Sequence, residues 1–94
     1  MLSLLFLIFT SEFKMELAKE LTNEGFYEES NIWLKTIDGR DTMRDFYILV
    51  NSFQTNDKKE ASKYLEKVEN SFDPLTTLRH RALVGTIRFE LDQW

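Results

Sequence analysis

Sixteen carboxylates and one histidine are the side chains with which this 94-residue chain could do acid–base chemistry. Four of the carboxylates, Glu12, Glu16, Glu20 and Glu24, recur at four-residue steps, which places them on one face of a helix. Like charges at that spacing repel one another. The ladder therefore reads as a solvated face relieved by Lys14 and Lys19, or as a landing strip for a basic partner segment. His80 stands between Arg79 and Arg81. Two guanidinium groups repel a metal cation, so His80 reads as a surface side chain and not as a ligand. Arg79, Arg81 and Arg88 together could receive an anionic peptide terminus or an acid-rich partner.

The remaining signals for catalysis are absent. With no cysteine there is no disulfide framework, no thiolate zinc site and no cysteine nucleophile. No Ser-His-Asp order, HExxH pair, phosphate-binding glycine loop or dinucleotide fingerprint occurs. The carboxylates fall on solvent faces, where nothing would tune a pKa for proton transfer. No catalytic residue, metal or cofactor is expected, and the chain reads as a binding protein, not an enzyme. A net charge of −4 repels phosphate backbones, which argues against nucleic acid as partner. The charge is uneven: residues 1–39 carry −4, residues 40–73 carry −1 and residues 74–94 carry +1. Solvated helix faces account for this, and so would head-to-tail self-association.

The elements that must position these side chains are helical. Only three Gly and one Pro interrupt the chain, and few interruptions mean long regular elements. Thr10-Ser11-Glu12 offers a cap and a first-turn acid for a helix that stops at Gly25. A second helix is expected over residues 26–37, with Phe26, Tyr27, Trp33, Leu34 and Ile37 as its apolar members, before the Asp38-Gly39 turn. A third starts at Asp41 or Thr42, where Thr42-x-x-Asp45 resembles a capping box, and runs through Phe53. Asn56-Asp57 breaks it. Asp57-x-x-Glu60 caps a fourth, with Ala61, Tyr64, Leu65 and Val68 as its stripe. Asp73-Pro74 sets an N-cap acid before Pro at the first helical position and starts a fifth that runs towards Trp94. No strand or hairpin pattern occurs. Short connections force consecutive helices antiparallel, so the expected fold is all-α, about five helices in stacked hairpins.

Residues 1–9, MLSLLFLIF, admit two readings. The run is far too short for a bilayer span of about 20 residues and has the length of a signal-peptide core. No basic residue precedes it and no small-x-small cleavage site follows. Alternatively it extends the first helix, because Leu5, Phe9, Phe13, Leu17 and Leu21 repeat every four residues. It would also fit a fragment whose natural start lies upstream. Residues 1–11 are set apart as an apolar segment, and residues 12–94 form the domain.

Within that domain, residues 17–37 resemble a tetratricopeptide repeat (TPR). Leu17, Ala18, Leu21, Gly25, Tyr27, Ser30, Leu34 and Ile37 hold its large, small, aromatic, glycine, aromatic, small, large and large positions. A weaker copy fits Ile48, Leu49, Ser52, Asn56, Lys58, Ala61, Leu65 and Val68. A third begins at Val84-Gly85 and reaches Trp94. The small-position spacings of 31 (Ala18 to Leu49) and 36 (Leu49 to Gly85) bracket the family period of about 34 residues. Leu49 departs from the pattern and is expected to push the second pair apart. Lys14 stands where the first repeat would have tryptophan.

The resemblance implies a short TPR-like right-handed solenoid of about two and a half repeats. Such proteins mediate protein–protein contact by holding a peptide or helix on the concave face of their first helices. By position, that face would hold Lys19 with Met15 and Thr22; Met43, Phe46, Val50 and Phe53; and Arg79 and Phe89 with Ala82 and Thr86. Phe46, Val50 and Phe53 also have the spacing of core residues. Leu83, Ile87, Leu91 and Trp94 make a second apolar edge on the fifth helix, a docking edge unless it covers the core. The expected partner is a protein or peptide, with self-association as a further option and membrane contact only through residues 1–9. A cytoplasmic location is expected, or export if those residues are a signal. The alternatives are a small helical bundle with a regulatory or structural role and a fragment of a larger repeat protein.

Overall fold

The computed structural model describes residues 10–39, 41–71 and 78–93. They form five helices: α1 Ser11–Asn23, α2 Tyr27–Leu34, α3 Thr42–Gln54, α4 Lys58–Asn70 and α5 Leu78–Asp92. No strand occurs among the described residues.

Caps and turns account for most of the boundaries. The Thr10 Oγ1 accepts from the Phe13 N–H at 3.1 Å and starts α1. Gly25 ends it at φ +87°. The Phe26 N–H reaches the Leu21 carbonyl at 2.8 Å and the Gly25 N–H reaches Thr22 at 3.1 Å, the paired bonds of a Schellman turn. Asn56 repeats the device after α3 at φ +60°, with Asp57 N–H on the Ser52 carbonyl at 2.9 Å and Asn56 N–H on Phe53 at 3.2 Å. Asp57 then caps α4 by accepting from the Glu60 N–H.

Three expectations are corrected. Asp41, not Thr42, caps α3, its carboxylate accepting from the Arg44 N–H at 3.1 Å. The second helix ends at Leu34, three residues early. There Thr36 N–H bonds back to Trp33 and Ile37 N–H to Leu34, tightening the chain into a turn that still buries Ile37. Thirdly, α1 does not bury its Phe13, Leu17, Leu21 stripe. Its buried residues are Lys14 and Ala18, and Phe13 is 47% exposed. The Asp73-Pro74 start signal and residues 1–9 lie outside the described residues.

α1 packs on α2, α2 on α3 and α3 on α4, while α5 closes on α4 over a smaller area. Alternate helices also meet. α1 touches α3 directly, the Phe46 ring of α3 lies 4.8 Å from the His80 ring of α5, and Lys35 after α2 pairs with Glu60 of α4 at 2.7 Å. The core runs through Ala18, Leu34, Leu49, Ala61 and Ile87, closed by neighbours on every helix. All four residues of the expected α4 stripe are buried.

The positions matched as small in the two hairpins are buried in both. In the first, Ala18 and Ser30 are fully buried and the Ser30 Oγ donates to the Ala18 carbonyl at 2.9 Å, so the two backbones lie close. In the second, Leu49 and Ala61 are both fully buried. Leu49 does not push α3 and α4 apart: they are the most extensively packed pair. Leu49 and Ala61 both belong to the one core cluster.

Candidate functional site

The juncture of α1 and α3 opens a cleft of about 330 Å³. Its lining is Ser11, Glu12, Met15, Glu16 and Lys19 from α1, Met43 from α3, and Asp41 at the cap of α3. Helical spacing sets the α1 side: residues 12, 15, 16 and 19 follow three- and four-residue steps. The Asp41 cap brings the start of α3 beside it. Met15 and Met43 supply adaptable apolar surface. Glu12, Glu16 and Asp41 oppose a single cation, Lys19, whose Nζ sits 3.5 Å from Glu16 Oε1. The cleft carries negative charge around an apolar middle.

The residues selected from sequence separate into three groups. Lys19 and Met43 meet in this cleft, with Met15 beside them. Phe46 is buried at 6%, wedged against Tyr47 and His80; it belongs to the core and is withdrawn as a contact residue. Val50 and Phe53 are half-buried against the same core. Arg79 and Phe89 are exposed on α5 and line neither described cleft. The proposed docking edge also divides. Ile87 and Leu91 are 1% and 5% exposed and pack inside the molecule, because this edge is the one that covers the core. Leu83 is 41% exposed, and Trp94 lies outside the described residues. His80 is half-buried on Phe46 and is not a plain surface side chain.

Sequence reasoning missed a buried polar network where α1, α2 and α3 meet. Asn51, fully buried, donates through Nδ2 to Ser30 Oγ at 3.0 Å and to Asn31 Oδ1 at 2.8 Å. Its Oδ1 accepts from Thr22 Oγ1 at 2.9 Å, and Thr22 and Ser30 face each other at 2.8 Å. The two hydroxyl protons must serve three contacts, since Ser30 also donates to Ala18. Such a network specifies how three helices register. It holds no nucleophile–base pair. An asparagine inside the apolar face of α3 was its one visible signal. Lys14 is the other surprise: 8% exposed, with its Nζ on the Thr36 carbonyl at 3.3 Å.

A second, polar cleft of about 430 Å³ lies between the start of α3 and the end of α4, lined by Asp41, Arg44, Asp45, Lys67 and Asn70 among others. Its charges are committed to structure. Arg44 Nη1 donates to the Ile37 carbonyl at 2.6 Å and Nε to Asp45 at 3.1 Å, while Lys67 sits 4.8 Å above the Tyr64 ring. Two surface cations titrate above their ordinary values. Lys35 is raised chiefly by its hydrogen bond to Glu60, and Arg88 by its paired hydrogen bonds to Glu69. Among the described residues no three metal-binding side chains gather, and no helix is long and apolar enough to cross a membrane. No protein-family model, curated protein or solved structure matches this chain.

Proposed function

We propose that this chain is a protein–protein interaction module, organised like a short tetratricopeptide array, that holds a partner peptide in the cleft between α1 and α3. The carrying observation is that Met15, Lys19 and Met43, from two separate helices, line one concave surface rimmed by Glu12, Glu16 and Asp41. A volume of about 330 Å³ accommodates one or two side chains, so the partner contributes an apolar anchor with a lysine or arginine beside it. Burial of the anchor against the methionines supplies the affinity, and the carboxylate rim supplies orientation and salt-sensitive association. Binding, with no reaction, is the reading that the side-chain inventory favours.

Peptide display against the whole folded chain tests this. The expected binders carry an apolar residue next to a basic one, and Met43→Asp weakens them about tenfold or more while helical circular dichroism is unchanged. Binders indifferent to both Met43→Asp and Met15→Asp would place the interaction surface elsewhere.

A further inference from the structure

Helix α5 carries two apolar stripes. Val84, Ile87 and Leu91 are buried at 1–5% exposure. On the opposite side, Leu78, Ala82, Gly85 and Phe89 follow steps of four, three and four residues. Leu78 is 84% and Phe89 63% exposed. Gly85 is exposed, and a Cβ there would meet no described atom within 4 Å. The matching positions Ala18 and Leu49 of α1 and α3 are fully buried under their partner helices, so α5 shows bare what the other two hairpins cover.

The bare stripe is symmetrical. Leu78 and Phe89 are equidistant from the midpoint between Leu83 and Val84, and so are Ala82 and Gly85. We propose that a second copy of this chain covers it, α5 against α5 in antiparallel orientation, with the two-fold axis passing beside residues 83 and 84. Large side chains then meet large at both ends, Leu78 against Phe89. Ala82 meets Gly85 at the centre, where the helices cross closely. Each flank of α5 meets the same flank of its mate. On one flank, Glu90 of the second copy comes level with position 77, about 3 Å along the axis from Arg79. Two Arg79–Glu90 ion pairs form. Arg79 and Glu90 have no ion-pair partner among the described residues, whereas Arg88 on the other flank is already held by Glu69. One helix face is a small interface, below about 1,200 Å² in total, so the dimer is weak and concentration-dependent.

Sedimentation equilibrium of the full chain from micromolar to millimolar concentration tests this independently of the peptide cleft. The mass is expected to rise from 11.2 kDa towards twice that value. Gly85→Gln and Arg79→Glu each weaken association about tenfold with unchanged circular dichroism, and Arg79→Glu combined with Glu90→Arg restores it. Gly85→Gln improves intrinsic helix propensity, so its effect is not one of misfolding. A monomer at every concentration overturns the proposal. So does a dimer that tolerates Gly85→Gln or Arg79→Glu, or a charge swap that restores nothing.

Discussion

The two described hairpins use the same turn and opposite crossings. Gly25 and Asn56, 31 residues apart, both adopt positive φ and both close a Schellman turn. Between α1 and α2 the crossing is small against small, with Ser30 hydrogen-bonded to the Ala18 backbone and tied through Asn51 to α3. Between α3 and α4 the matching positions hold a large and a small residue, Leu49 and Ala61, both fully buried and with no polar link. The difference shows that a crossing can be closed by volume or by hydrogen bonds. The first solution depends on hydrophobic transfer and tight packing, and the second on satisfying every buried donor.

Substitutions at the crossings separate the two solutions. Leu49→Ala empties a fully buried site; a loss of about 2–5 kcal/mol is expected from urea denaturation. Asn51→Leu strands the Ser30, Thr22 and Asn31 polar groups and is expected to cost about 1–3 kcal/mol. If Asn51→Leu cost nothing, the network would not be what registers the first hairpin on α3. The turns give a smaller effect. Gly25→Ala at φ +87° is expected to destabilise by about 1 kcal/mol or more, while Asn56→Gly at φ +60° stays within a few tenths of neutral. Smallest is the pH effect of the Lys35–Glu60 bridge between α2 and α4. The folded Lys35 pKa is raised, so its contribution is complete below the unfolded lysine pKa of about 10.4 and fades as pH climbs through the higher folded value. Lys35 is half exposed, so the loss is within about 1 kcal/mol in a pH series of thermal melts.

Much of this architecture was legible in the residues. Asp57 and Thr10 announce caps, Gly25 and Asn56 announce turns, and Ala61, Tyr64, Leu65 and Val68 trace the buried face of α4, because local capping and periodicity act within one helix. What was hidden depends on three helices at once. Nothing local distinguishes Phe46, which His80 covers, from Met43, which stays at a cleft. Lys14 lies beneath a carbonyl that the turn after Leu34 supplies, and Asn51 finds its partners on α1 and α2. The candidate site was half visible for the same reason: the α1 side follows from spacing, while the reach of Met43 to it depends on how α1 and α3 lie.

That juxtaposition is the point on which the functional reading rests, and methionine-methyl NMR measures it directly. The chain has no cysteine, so Glu12→Cys carries a single nitroxide at the cleft rim. Strong broadening of the Met15 and Met43 methyl signals together is the expected result, with both signals shifting when a selected peptide is added. A Met43 signal left sharp beside a broadened Met15 would contradict it, because the two helices would then share no cleft.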